Sequence, residues 1–141
     1  MGRFDHTVDD KGRVAVPAKF RSRFAEGLVV TRGLERCLFV YTAADWGALA
    51  EKIAKLPLTH ADARNFSRFL FSGAADAELD RQGRIIVPAY LRDYARIQSD
   101  VVIIGANTRL EIWARDAWDQ TIAKVEEEGE FIAENLTALG I

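Results

Sequence analysis

The chain has 141 residues, enough for one domain and too few for two large ones. Its 49% hydrophobic and 28% charged content excludes wholesale disorder, and a single cysteine, Cys37, excludes an intrachain disulfide. With 19 basic and 21 acidic residues the net charge is −2, an average that argues weakly against a nucleic-acid partner.

In chain order, a first short strand ends at Val8 and a tight turn follows at Gly12. Val14-Ala15-Val16 reads as a buried strand, and Pro17 opens a short helix that carries Phe20 and Phe24 at i, i+4. Leu28-Val29-Val30 and Leu38-Phe39-Val40-Tyr41 are two further strands, and a helix led by Trp46 ends before Pro57. Thr59 is placed to cap a linker helix with Ala63, Phe66, Phe69 and Leu70, which breaks at Ser72-Gly73-Ala74-Ala75. The same order then recurs. A strand ends at Leu79, Gly83 turns the chain, Ile85-Ile86-Val87 is a strand, and Pro88 opens a helix with Leu91 and Ala95. Strands at 101–104 and 110–113 precede an amphipathic helix through Trp118, Ile122 and Val125. Gly129 is predicted to interrupt that helix, leaving a short final one with Ile132, Leu136 and Leu139.

The recurrence is close. Asp9-Asp10-Lys11-Gly12-Arg13-Val14-Ala15-Val16-Pro17-Ala18-Lys19-Phe20-Arg21 matches Asp80-Arg81-Gln82-Gly83-Arg84-Ile85-Ile86-Val87-Pro88-Ala89-Tyr90-Leu91-Arg92 without a gap, and Trp46 aligns with Trp118. Neither half is large enough to bury a sizeable core, so the halves are expected to interlock as a pseudo-twofold pair. The fold class is therefore α+β, mainly β. The predicted organisation is a first module over 1–55, a linker helix over 56–75, a second module over 76–128, and an acidic tail or short helix over 129–141.

The pattern Asp-x-x-Gly-Arg followed by two apolar residues and Val-Pro-Ala resembles the swapped-hairpin DNA-binding modules of the AbrB superfamily. Two tandem copies, with Phe71-Ser72-Gly73-Ala74 before the second and Leu110-Glu111-Ile112-Trp113 after it, resemble the MraZ family. The resemblance covers about residues 1–125. It implies two AbrB-like swapped-hairpin modules around a double-psi-type or small barrel core with peripheral helices. It also implies a bacterial transcriptional regulator of the division and cell-wall gene cluster. Such a regulator binds direct repeats upstream of its own operon, forms ring-like homo-oligomers and associates with the nucleoid.

The chemistry of the motif fits that implication. Arg13 and Arg84 each follow an acid by four residues, Asp9 and Asp80, and across a tight turn the carboxylate can hold the guanidinium bidentately or accept turn N–H groups. An arginine held in this way can address phosphate or a guanine edge. Lys11 and Arg81 sit at the turn tips, within reach of phosphate, and Arg3 and Lys19 lie near enough in sequence to extend the patch. The DNA-binding candidates are thus Arg3, Lys11, Arg13, Lys19, Arg81 and Arg84, and the motif-structural ones are Asp9, Gly12, Pro17, Asp80, Gly83 and Pro88. Residues 1–23 hold Arg3, Lys11, Arg13, Lys19, Arg21 and Arg23 against Asp5, Asp9 and Asp10; residues 76–92 hold equal numbers of each sign. The first motif is therefore expected to supply more phosphate contact. The glutamates at 126, 127, 128, 130 and 134 concentrate negative charge in the tail, so the net −2 sums two oppositely charged ends.

An enzyme is not expected. His6 and His60 fit no zinc or triad spacing, there is no P-loop or dinucleotide fingerprint, and residues 76–87 fail as a calcium loop because Arg81 and Val87 stand where Gly and Glu are required. No metal, cofactor or small-molecule substrate is indicated. Arg64 and Arg68 lack the preceding helix–turn of a recognition helix, and Cys37 reads as a small buried thiol. No stretch is long and apolar enough for a membrane span and Met1 is not followed by an apolar leader, so a cytoplasmic protein is expected. The alternative function is an AbrB-type antitoxin that binds a partner toxin as well as DNA, with the acidic tail as the toxin contact.

Overall fold

The computed structural model describes residues 1–140. Each half follows the predicted order. The first holds β1 (Gly2–Thr7), β2 (Arg13–Ala15), a single 3-10 turn (Ala18–Phe20), β3 (Leu28–Arg32), β4 (Leu38–Thr42) and α1 (Ala43–Ala54). After α2 (Ala61–Gly73), the second holds β5 (Ala75–Ala77), β6 (Arg84–Ile86), α3 (Ala89–Tyr94), β7 (Asp100–Gly105), β8 (Leu110–Ala114) and α4 (Arg115–Asn135). The class is α+β, with most of the strands in one antiparallel sheet.

The halves depend on each other for their sheets. The six-stranded sheet runs β1-β7-β8-β4-β3-β5, so the first strand of each half lies on the other half: β1 pairs with β7, and β5 with β3. A second sheet is the two-stranded ribbon β2-β6. Equivalent residues face one another in both: Val14 opposite Ile85 in the ribbon and Phe39 opposite Glu111 where β4 meets β8. A pseudo-twofold axis through those two pairs relates the halves. The core is one cluster of eighteen buried residues, nine from each half, from Val8, Val14 and Val16 to Ile103, Leu110 and Ile112. Neither half could close this cluster alone.

The helices lie outside the sheet. Thr42 caps α1 by accepting the Asp45 N–H at 3.1 Å, and α2 packs on β3, where the Thr31 hydroxyl donates to the Leu70 carbonyl at 2.6 Å. Four local expectations are corrected. Residue 60, not Thr59, is the α2 N-cap, and its side chain makes no capping bond. Pro17 and Pro88 stand at the N-cap, one residue before the first helical position, with ψ of 135° and 149°. Phe20 and Phe24 do not share an α-helix; from Pro17 to Gly27 the chain makes a series of i→i+3 turns that bury both rings. Gly129 does not interrupt α4, which continues to Asn135. A glycine in an exposed helix costs only about 1 kcal/mol, and the turns on either side of it carry the helix through.

Candidate nucleic-acid interface

The ribbon β2-β6 exposes one face. Val14 and Ile85 point inward and are buried, so the alternation of a strand turns Arg13, Ala15, Arg84 and Ile86 outward. Arg13 stands opposite Ile86 and Arg84 opposite Ala15, which makes the two arginines diagonal neighbours. Diagonal pairs lie about 7–8 Å apart. Ile86 is 61% exposed between them.

Each arginine is held by its own turn in the same way. Asp9 accepts the backbone N–H of Lys11 at 3.0 Å and of Arg13 at 2.9 Å on Oδ1, and Nε of Arg13 at 2.6 Å on Oδ2. Asp80 accepts the N–H of Gln82 and of Arg84, both at 2.8 Å, on Oδ1, and Nε of Arg84 at 2.9 Å on Oδ2. Of the two modes open from sequence, acceptance of the turn N–H groups is the one that forms; the guanidinium is also held, but through Nε alone and not bidentately. The ion pair uses Nε alone, so the terminal nitrogens of Arg13 and Arg84 have no acceptor among the described residues. The Arg13 backbone N–H, then its side chain, hold the Asp9 carboxyl below its ordinary range, and Arg84 does the same to Asp80. The turns close through Gly12 N–H to Asp9 C=O and Gly83 N–H to Asp80 C=O, both at 3.0 Å, with the glycines at φ +81° and +74°. Left-handed φ is what reserves these positions for glycine.

Lys11 and Arg81 project from the two tips and are exposed. The antiparallel register sets the two turns at opposite ends of the ribbon, so Lys11 and Arg81 flank the face that carries Arg13 and Arg84. Arg3 and Lys19 do not join them. Arg3, near the start of β1, pairs with Asp5 at 3.5 Å and Asp119 at 3.9 Å, and Lys19 donates to the Met1 carbonyl at 3.1 Å. Both sit at the Met1 end of β1, whereas the turn lies beyond its other end. Arg23 is likewise turned aside, toward the Asn107 carbonyl at 3.1 Å. The positive excess of residues 1–23 is thus dispersed, and it gives no reason to rank the first turn above the second.

Two residues of consequence had no role assigned from sequence. Arg21 and Arg92 donate Nε to the carbonyls of Val16 at 2.9 Å and Val87 at 3.1 Å. Their signal was present: both stand at the last matching position of the repeat. Cys37 is buried, donates to the Leu34 carbonyl at 3.2 Å, and burial pushes its thiol up to about 12. No helix among the described residues is long and apolar enough to cross a membrane.

A family model described as "MraZ protein, putative antitoxin-like" matches twice, over residues 1–69 and 70–139. The "Transcriptional regulator MraZ" of Natranaerobius thermophilus is 53% identical over 141 residues, covering 100% of this chain and 99% of the relative. Proteins of the same name from Moorella thermoacetica and Desulforamulus reducens are each 47% identical, over 100% and 99% of this chain and 99% and 98% of their own lengths. The chain belongs to the MraZ family.

Proposed function

We propose that the chain is a transcriptional regulator that binds double-stranded DNA through the outer face of the β2-β6 ribbon and its two turns. The observation that carries the reading is the duplicated turn: two arginines on one exposed ribbon, each fixed by an aspartate with its terminal nitrogens free. The names of the relatives point to regulation of transcription. A two-stranded ribbon is one of the shapes the major groove admits. The diagonal separation of about 7–8 Å is roughly two base-pair steps at about 3.4 Å each. Arg13 and Arg84 are the base-edge or phosphate readers, and Lys11 and Arg81 are phosphate contacts. The exchange of first strands between halves supports a swapped-hairpin reading of the fold, with 1–55 and 76–128 as its two modules.

The site extends by assembly. The corner between α1 and α2 exposes Leu56, Leu58 and Phe66 beside four basic residues, Lys52, Lys55, Arg64 and Arg68, and two acidic ones, Glu51 and Asp62, a net positive surface. The far half of α4 exposes Val125 and Phe131 among the five tail glutamates, with no α4 residue fully buried. Apolar surfaces of opposite charge at separate places suit a head-to-tail contact, which closes into a ring when the rotation permits. A ring-like homo-oligomer would meet direct repeats upstream of its own operon with several ribbons at once. We place it in the cytoplasm at the nucleoid.

The test is a titration of the upstream region of the chain's own gene with wild type, Arg13→Ala and Arg84→Ala. Each variant is expected to lose about 1–3 kcal/mol of binding, and by similar amounts. Unchanged affinity in both would remove the ribbon from the interface. The antitoxin reading keeps one supporting observation, the exposed acidic half of α4; it requires a partner protein that co-purifies in fixed ratio and masks Phe131.

A further inference from the structure

Arg21 and Arg92 do more than close their own half. The Val16 N–H donates across the molecule to the Gly83 carbonyl at 2.9 Å, and the Val87 N–H to the Gly12 carbonyl at 2.8 Å. Arg21, bound to the Val16 carbonyl, then lies against the turn glycine of the second half: a Cβ on Gly83 would fall 2.6 Å from Arg21 Cζ. Arg92, bound to the Val87 carbonyl, lies against Gly12 of the first half, where a Cβ would fall 3.2 Å from its Cζ. Both glycines are buried although the adjoining Lys11 and Gln82 are exposed. Each turn is thus covered by an arginine from the opposite half.

We propose that Arg21 and Arg92 are crossed positioning residues: Arg21 sets the second turn, with Arg84, and Arg92 sets the first, with Arg13. Asp9 and Asp80 fix each reading arginine only relative to its own turn. The crossed contacts fix each turn relative to the ribbon, so each tip is preorganised by the half opposite its own. An arginine is suited to this because Nε serves the carbonyl while the planar guanidinium covers the glycine; a lysine ammonium has no plane to do so. The DNA consequence rests on the ribbon reading above, whereas the lock itself is a property of the free protein.

The experiment is amide hydrogen exchange on the free full-length chain, comparing wild type with Arg21→Ala, Arg21→Lys and Arg92→Ala. For both Arg21 variants the Gly83 and Arg84 amides should exchange about tenfold faster while Gly12 and Arg13 keep their rates, and Arg92→Ala should show the reverse. Faster exchange confined to the variant's own turn, or no change in either, overturns the proposal. Global loss of protection in both Arg21 variants also contradicts it, because the role is local to the turns. In DNA titrations, Arg21→Ala should be non-additive with Arg84→Ala and additive with Arg13→Ala. Crossed exchange effects without any loss of DNA affinity would leave the lock standing and remove the DNA reading.

Discussion

Alanine at Gly12 tests the turn geometry with a calculable cost. The residue stands at φ +81°, and an added Cβ would lie 2.7 Å from the Val87 carbonyl oxygen and 3.1 Å from Arg92 Nε. Left-handed backbone costs an ordinary residue roughly 1–2 kcal/mol. The collision adds about 1–3 kcal/mol of overpacking, since the nearest atom is backbone and cannot swing aside. Gly12→Ala is therefore expected to lose about 2–5 kcal/mol, a fall in Tm of roughly 6–15 °C at about 3 °C per kcal/mol for a chain of this size. Gly129→Ala is the matched control: nothing lies within 4 Å of its Cβ position, and alanine raises helix propensity by up to about 1 kcal/mol. Thermal and urea unfolding followed by circular dichroism, at one protein concentration, measures both. A Gly12→Ala protein as stable as wild type, or a Gly129→Ala protein equally damaged, would show that the turn does not require glycine at this position.

Acid should act on the turns only at low pH. Because the Asp9 and Asp80 carboxyls titrate below their unfolded value of 3.8, the stability they lend is complete above that value and is lost as pH falls through the lower folded values. Protection of the Lys11, Arg13, Gln82 and Arg84 amides should thus be flat from pH 7 to about 4 and fall below it; a loss between pH 7 and 5 would contradict the assignment. Cys37, pushed up to about 12 by burial, should resist iodoacetamide at pH 8 in the folded chain and react in denaturant, and rapid labelling of the native protein would contradict its placement. Phe131→Glu should lower the mass measured by light scattering if α4 joins neighbouring copies, and an unchanged mass would exclude this contact.

The repeat made much of this architecture legible. Asp-x-x-Gly-Arg and Val-Pro-Ala, written twice, locate both turns, both ribbon strands and the clamp of Asp9 on Arg13 and of Asp80 on Arg84. What the repeat does not encode is where its copies point. Arg3 and Lys19 are near the first motif in sequence, but β1 carries Arg3 away from the tip, and the chain after Pro17 returns Lys19 to Met1. Separation along an extended strand grows by about 3.3 Å per residue, so nearness in sequence misled. The residues themselves point to interlocked halves and the family resemblance to swapped hairpins, but neither names the partners: the pairings of β1 with β7 and β5 with β3 join distant segments with no local signal. Arg21 and Arg92 escaped for the same reason: each acts on a turn about sixty residues or more away, at Gly83 and Gly12. At Gly129 the cost of one glycine is too small to break a helix that is otherwise continuous on both sides.

The central claim is that the two turns meet phosphate, and salt dependence tests it most directly. With Lys11, Arg13, Arg81 and Arg84 each neutralising one phosphate per chain, log K for the upstream DNA should fall with log salt at a slope of about −0.9 per contact. That amounts to roughly a hundredfold weaker binding between about 50 and 200 mM salt for one engaged chain, and more for an assembly. Replacing Arg13 and Arg84 together by alanine should flatten the slope by about two per chain if both meet phosphate. A slope near zero in wild type, or one unchanged in the double variant alongside unchanged affinity, would contradict the account.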